Sequence, residues 1–156
     1  MHTTAPPLVR RQEAGLYHRV GAEVGAFLAD RIAVALEAGV GPESIVVDPG
    51  VDFTKTPAQT LELLRDLGPV VDLGSPVLLA LSRKDFVGVL TSRPPAGRDA
   101  GTLGAVAALR HVPGQILRMH DVAATVDMLR VLDAIAGPEP VPVDLVLDEG
   151  LRHQRY

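Results

Sequence analysis

Continuous runs of apolar residues mark three predicted strands in this chain. They span residues 44–48 (SIVVD), 76–81 (PVLLAL) and 115–119 (QILRM), and they are rich in valine, isoleucine and leucine. Short runs without polar alternation are typical of strands that are covered on both faces, as in parallel sheets. The pattern therefore predicts a buried parallel sheet.

Segments with helical spacing of apolar residues lie before and between these runs. An apolar stripe begins at Val20 and continues to Ile32, and Gly39 follows it as a predicted helix stop. The sequence TPAQ at 56–59 predicts a helix start, because a capping threonine precedes a proline at the first helical position and a glutamine at the third.

Two further helices are predicted at 100–110 and 121–137, the second with Asp121 as its N-cap and Gly137 as its stop. Helices and strands thus alternate along the chain, which is the order of right-handed βα units around a parallel sheet and predicts the α/β class. Residues 1–137 are expected to form this unit. Residues 138–156 are expected to form a proline-rich tail that adds a short strand or stays loose.

Ionisable residues stand at the end of each predicted strand. Asp48 ends the first strand, Lys84 follows the second, and Arg118 and His120 end the third. Asp48 and Lys84 are 36 positions apart, as are Lys84 and His120 (84 − 48 = 120 − 84 = 36). Equal spacing predicts equal βα units that bring these side chains to one level at the carboxyl end of the sheet, where parallel α/β folds bind ligands.

These residue types predict a ligand that combines an anionic group with a heterocycle. Arg118 and His120 lie two apart on a strand, so they share one face and suit a phosphate or pyrophosphate. Asp48 suits the N–H donors of a nitrogen heterocycle, and Lys84 can donate to a carbonyl or a ring nitrogen. Asp121 is expected to cap a helix rather than to act as an acid catalyst.

Composition narrows the classes of function and partner. The chain has 156 residues and a net charge of −4, so no nucleic acid is expected as a partner. It has no cysteine, which excludes disulfides and a cysteine-ligated zinc. No apolar run is long enough to span a membrane and no signal peptide is evident, so the expected location is the cytoplasm, with no membrane partner. The remaining histidines are expected to be ordinary surface or packing residues: His2, His18, His111 and His153.

Three segments together resemble dihydropteroate synthase: DPGVDFTKTPAQTLELLRDL (48–67), PVLLALSRKDFVG (76–88) and ILRMHDVAATVDMLRVL (116–132). The combination of DPG, SRK and RxHD in this order is specific, although each motif alone is weak. The resemblance implies a partial (β/α)8 TIM barrel, with family strands 5/6 to 8 and their helices. It also implies a transferase of folate biosynthesis, which condenses 6-hydroxymethyl-7,8-dihydropterin diphosphate with 4-aminobenzoate.

The resemblance further implies a role for each matching residue. Asp48 and Lys84 would bind the pterin, and Arg118 and His120 would hold the diphosphate. The catalytic residues would be Lys84, Arg118 and His120. The aminobenzoate would be bordered by Phe53, Ser82 and Arg83. In the family a Mg²⁺ ion assists the diphosphate. Its main ligand lies in the family's N-terminal half, so no metal ligand is expected here.

Two departures from the family pattern stand out. The family shows DPGxGFxK, whereas Asp52 here replaces a glycine beside the aminobenzoate site and would add charge and bulk there. A closed barrel of this type needs about 250 residues, so the chain is expected to be an incomplete synthase. Open edge strands expose unpaired backbone groups, so we expect either a homodimer or a complementing N-terminal half.

Three alternatives to a synthase remain open. The first is a non-catalytic pterin-binding or partner module that retains half of the site. The second is the pterin-binding domain of a folate-dependent corrinoid methyltransferase, which the SRK and RxHD pairings disfavour. The third is an unrelated doubly wound α/β protein whose polar strand ends are coincidental.

Overall fold

The computed structural model describes residues 1–4, 13–137 and 140–152. The helices are α1 (Val20–Glu37), α2 (Pro57–Arg65), α3 (Gly68–Val71), α4 (Asp85–Thr91), α5 (Asp99–Leu109) and α6 (Val122–Ala136), and the strands are β1 (Val77–Leu79) and β2 (Gln115–Leu117). Short 3₁₀ turns occur at Pro42–Ser44, Pro95–Gly97 and Glu149–Leu151. Within these described ranges, no helix has the length and apolar character needed to cross a membrane.

The long helices begin and end where the sequence predicts. The Thr56 side chain accepts a hydrogen bond from the Gln59 N–H at 3.2 Å, and the Gln59 side chain accepts one from the Thr56 N–H at 2.8 Å. Asp121 accepts a hydrogen bond from the Ala124 N–H at 2.9 Å, which confirms its expected role as a helix cap. Gly39 follows α1 with a φ of 88°, a conformation that glycine adopts without steric cost.

Two short helices, α3 and α4, are absent from the sequence prediction. α4 begins at Asp85, directly after the polar end of the second strand. It contains Gly88 and two valines, which have poor helix propensity. Phe86 and Val87 are nevertheless buried, so tertiary packing rather than propensity supports this helix.

Parallel pairing joins the strands of a small sheet. Each residue of β1 lies opposite the residue of β2 that is 38 positions further along the chain (115 − 77 = 38). The predicted strand at 44–48 is wrong as a full strand, because only Val47 forms a parallel bridge, to Val77. On the other side of this segment, the His2 N–H donates to the Asp48 C=O at 2.9 Å. The N-terminal segment, the segment around Val47, β1 and β2 therefore lie side by side in chain order.

Helices cover only one face of this sheet. Val47, Val77 and Leu79 are at most 3% exposed, whereas Val46 and Ile116 on the opposite face are 47% and 43% exposed. We call this second face, formed by Val46, Leu78 and Ile116, the open face. The prediction that the strands are covered on both faces is therefore wrong, because the described helices pack on one side alone.

A single apolar core fills the space between the helices and the covered face. α1 packs against α3 and α2, while α5 packs against α4 and α6. A Cβ atom at Gly25 would lie 2.7 Å from the Pro69 carbonyl oxygen, so only glycine allows α1 to approach α3 this closely. The larger side chains of the core that are fully buried include Val20, Val24, Leu63, Val70, Val77, Leu79, Leu81 and Val106. The described part of the tail, residues 140–152, adds no strand to this unit.

Replacement of the α2 cap, Thr56→Ala, should lower the free energy of unfolding by about 1 kcal/mol, because the Gln59 N–H loses its acceptor. Urea unfolding followed by circular dichroism measures this change. Ser44→Ala is the control, since Ser44 is exposed and lies outside the capping box. Equal stabilities of the wild-type chain and Thr56→Ala would contradict the assigned role of the cap.

Candidate active site

The DPG sequence forms a tight turn at the end of the segment around Val47. The Gly50 N–H donates to the Asp48 carboxylate at 2.7 Å, so the side chain bonds its own backbone two residues ahead. Gly50 has a φ of 68°, and a Cβ atom there would lie only 1.9 Å from the His2 carbonyl oxygen. The turn therefore requires glycine, and it holds Asp48 half-buried at the carboxyl end of the sheet.

A buried lysine holds the loop that follows this turn. The Lys55 side chain is fully buried, and its Nζ donates to the carbonyl oxygens of Gly50 at 3.0 Å and Phe53 at 3.1 Å. The same Nζ lies 3.0 Å from Nδ1 of His2. Burial lowers the pKa of Lys55 to about 8, although the charges of Asp48 and other neighbouring carboxylates oppose this shift.

Lys55 is a structural residue of the site that the sequence does not predict. Lysine is seldom fully buried, so its position in the DPGxxFxK stretch is the only signal that could indicate the role. The packing role expected for His2 is confirmed, since the residue is 2% exposed and its ring also contacts Phe27. Burial lowers the pKa of His2 to about 4, and the nearby Lys55 charge adds to the shift. His18 and His111 are exposed, and His153 lies outside the described residues.

Lys84 and Phe53 meet above this loop. The Lys84 Nζ lies 4.3 Å from the centroid of the Phe53 ring, in cation–π contact. Burial lowers the pKa of Lys84, the carboxylates of Asp52 and Asp48 oppose the shift, and the Arg118 charge adds to it. The structure thus brings a half-buried ammonium, an acid and an aromatic ring together, with the Arg118 charge close enough to affect them.

The third strand end presents a histidine and an arginine. Nδ1 of His120 lies 2.7 Å from the Ser82 Oγ, and the His120 N–H donates to the same oxygen at 3.3 Å. Both contacts follow from the register, in which each residue of β1 lies opposite the residue 38 positions later. His120 is 38 positions after Ser82 (120 − 82 = 38), so Ser82, and not Lys84, lies opposite His120. The prediction that equal spacing of 36 places Lys84 level with His120 is therefore wrong. The side chain of Arg118 is exposed, and among the described residues it forms no hydrogen bond or ion pair.

Arg83 is already paired within the chain. Its Nε and Nη2 donate to the two carboxylate oxygens of Asp99 at 2.7 and 2.9 Å, a bidentate ion pair that lowers the pKa of Asp99. The Arg83 N–H also donates to the Thr102 hydroxyl at 3.1 Å. Its φ is 58°, and Asp52 and Thr54 have similar left-handed values of 61° and 53°. The guanidinium expected beside the aminobenzoate therefore has its charge balanced by Asp99.

The residues do not fit a resident metal ion. Across the described ranges, no group of three or more histidine or acidic side chains is placed to hold one. The Mg²⁺ ion implied by the resemblance thus finds no set of ligands in the described part of the chain. An apolar groove of about 380 Å³ lies between α2, α4 and α5, but its lining shares no residue with the strand-end cluster.

This arrangement suits a ligand with a donor-rich ring and an anionic group. Asp48 offers a carboxylate for ring N–H groups, Lys84 offers a donor, and Arg118 and His120 offer groups for an anion. All of them stand at the carboxyl end of parallel strands, where barrel enzymes place their catalytic residues. The class of protein that the fold and site define is a parallel α/β protein with a cluster of acidic, basic and aromatic side chains at the carboxyl end of its strands.

Comparison with known proteins identifies the family. The family described as "Pterin binding enzyme" matches residues 1–120, and the chain belongs to it. Dihydropteroate synthase of Mycobacterium leprae is 42% identical, over 89% of this chain and 52% of its own length. The Haemophilus influenzae synthase is 36% identical, over 88% of this chain and 50% of its own. This chain thus spans about half the length of these curated relatives.

Solved structures give the same result for the fold. Dihydropteroate synthase of Stenotrophomonas maltophilia aligns with a TM-score of 0.80 at 35% identity, over 89% of this chain and 52% of that one. The Xanthomonas albilineans enzyme, solved with 4-aminobenzoic acid, aligns with a TM-score of 0.73 at 42% identity, over 80% and 47%. The expected partial (β/α)8 barrel is confirmed, and the doubly wound alternative is wrong.

Acid should destabilise the chain through His2. The native imidazole has a pKa of about 4, whereas the unfolded one titrates near 6.5. Between these values only the unfolded state binds the proton, so the free energy of unfolding should fall as the pH drops from 6.5 to 4. The shift corresponds to about 3 kcal/mol at most, and solvent screening should reduce it to about 1–2 kcal/mol.

Urea unfolding at a series of pH values tests this expectation in the wild-type chain and in His2→Gln, whose amide cannot take up the proton. In His2→Gln, the free energy of unfolding should change less with pH between pH 4 and 6.5. His18→Gln, at an exposed histidine, should leave the pH dependence intact. The same slope in the wild-type chain and in His2→Gln would show that His2 is not the titrating group.

Proposed function

We propose that this chain forms the C-terminal part of a dihydropteroate synthase, with residues 1–137 as the barrel unit and 138–156 as a tail. The enzyme would condense 6-hydroxymethyl-7,8-dihydropterin diphosphate with 4-aminobenzoate. The observation that carries the proposal is the half-buried Lys84 ammonium, which lies against Phe53 and within electrostatic reach of Asp48 and Arg118. A cytoplasmic location, expected from the sequence, stays a prediction.

The pterin would lie between Asp48 and Lys84. The carboxylate would accept hydrogen bonds from the ring N–H groups, and the ammonium would donate to the ring carbonyl or to N5. The partial desolvation that lowers the pKa of Lys84 also strengthens its hydrogen bonds to a ligand. These contacts would orient the exocyclic methylene for attack, which is a positioning effect.

Arg118 and His120 would bind the diphosphate. The C–O bond to the diphosphate breaks, the aminobenzoate nitrogen forms a C–N bond to the methylene carbon, and that nitrogen loses a proton. Arg118 and the His120 imidazole, which Ser82 orients, would stabilise the charge on the departing diphosphate. No step is assigned to a metal ion held by this chain, and the Mg²⁺ implied by the resemblance would need ligands from elsewhere.

Phe53, Ser82 and Arg83 would border the aminobenzoate. The exposed Phe53 ring offers a stacking surface, and Ser82 lies beside His120. Asp99 engages Nε and Nη2 of Arg83, so Nη1 and the second N–H of Nη2 remain as donors for the carboxylate of this substrate. Because Asp99 already balances the guanidinium charge, the attraction for that carboxylate would be weaker, which favours the second candidate function, a pterin-binding module without transferase activity.

Two substitutions separate the predicted contacts. Arg118→Ala should weaken binding of the pterin diphosphate by about tenfold or more and leave binding of the pterin alcohol unchanged, since only the former carries the anion. Lys84→Ala should weaken both ligands. Isothermal calorimetry measures these affinities, with Arg130→Ala on the exposed side of α6 as the control.

The possible results of binding and turnover assays distinguish the two candidate functions. Pterin binding together with turnover of 4-aminobenzoate supports the synthase, and binding without turnover supports the module. Full affinity for the diphosphate in the Lys84 and Arg118 variants would overturn both candidates.

We also propose that a second polypeptide surface, from another copy or a complementing N-terminal half, covers the open face. The exposed Val46 and Ile116 and the unpaired outer edge of β2 in the described sheet support this. Size exclusion with light scattering should show a mass above that of one chain, or a gain in solubility when the N-terminal half is co-expressed. A stable, compact monomer that resists limited proteolysis would contradict the proposal.

A further inference from the structure

We propose that Asp52 is a positioning residue, which fastens the loop bearing Phe53 to the start of α4 and so determines where the Lys84 ammonium stands. Only the assignment of Phe53 and Lys84 as substrate-binding residues rests on the proposed function. The contacts of Asp52 do not depend on it.

The Asp52 carboxylate bridges three parts of the fold. Oδ2 accepts hydrogen bonds from the Asp85 N–H and, at 3.4 Å, from the Phe86 N–H, which are the first two backbone donors of α4. Oδ1 accepts a hydrogen bond at 2.9 Å from the hydroxyl of Thr60, a fully buried residue of α2. The Asp52 carboxylate is therefore used between α2 and α4, and the expectation that it adds charge and bulk beside the aminobenzoate stays a prediction.

α4 needs an acceptor from outside its own sequence. The first backbone N–H groups of a helix have no partner within the helix. A side chain at the N-cap usually supplies the acceptor, but the N-cap of α4 is Lys84, which has only donors and makes no capping hydrogen bond. Asp52 takes this role from 33 residues away. Burial raises the pKa of Asp52, while its hydrogen bonds and the Lys84 charge oppose that shift.

The backbone at Asp52 indicates that the side chain, rather than the turn, is what this residue contributes. Its φ is 61°, in the left-handed region that glycine enters without steric cost. Glycine is also the residue in the family pattern that this loop resembles. An aspartate here adopts a less favourable backbone conformation, and its carboxylate contacts with α4 and α2 offset that cost.

The position of Lys84 follows from these contacts. Phe53 is the next residue after Asp52, and Lys84 directly precedes Asp85, so the hydrogen bond between Asp52 and Asp85 fixes the two neighbours relative to each other. The result is the 4.3 Å separation between the Lys84 Nζ and the Phe53 ring. Asp52 also lies close enough to favour the charged form of Lys84.

The geometry can be measured without a ligand. In the full 156-residue chain, the ring current of Phe53 should displace the NMR chemical shift of the Lys84 Hε protons. The Phe53→Leu variant gives the chemical shift without the ring. Asp52→Gly suits the backbone and should fold, yet it should lose most of the displacement. Asp52→Asn keeps one oxygen acceptor and should retain more of it. Asp72→Asn, at an exposed acid that directly follows α3, is the matched control and should change nothing.

The outcomes separate a positioning role from a merely structural one. A structural role would lower the melting temperature and leave the Lys84 displacement intact in the folded fraction. Full displacement in both Asp52 variants would overturn the inference. In a pterin titration, Asp52→Gly should bind about tenfold more weakly than the wild-type chain. A wild-type chain that binds no pterin, with the displacement still lost in Asp52→Gly, would reject the proposed function and keep the inference.

Discussion

The loop that carries Asp48 and Phe53 depends on one buried ammonium. Removing a charge from water costs several kcal/mol unless hydrogen bonds compensate, and Lys55 finds three partners. Two of them are carbonyl groups of the loop itself, and the third is His2. This contact closes the loop and ties it to the neighbouring N-terminal segment. The acid that faces the proposed pterin and the ring that faces Lys84 both take their places from that closure.

Elements with a local chemical signal could be predicted from the sequence. The start of α2 follows from the reciprocal hydrogen bonds of Thr56 and Gln59, and the start of α6 follows from the Asp121 side chain. α4 has no such signal, because the group that caps it belongs to a distant loop. The register of β1 against β2 is likewise invisible in the spacing of motifs, since turns and short helices of different lengths lie between the strands.

The candidate site divides in the same way. Its composition could be predicted, because residues that follow buried parallel strands must meet at one edge of the sheet. Which of its side chains pair with one another could not be predicted. Arg83 looks like a free cation in the sequence, yet Asp99, sixteen residues away, binds it, and Ser82 is the partner of His120 rather than a separate contact. Such pairings depend on side-chain directions that only the folded backbone determines.

The left-handed backbone conformations at Asp52, Thr54 and Arg83 lower the stability of the fold, and they therefore also limit which substitutions the protein can accept. Each such residue costs about 1–2 kcal/mol, and a whole domain has a net stability of only about 5–15 kcal/mol. Residues that contact these loops can therefore accept few substitutions that lower the stability further. Descendants of the chain should therefore diversify fastest on the outer helical surface, and change near these loops should come in compensated pairs.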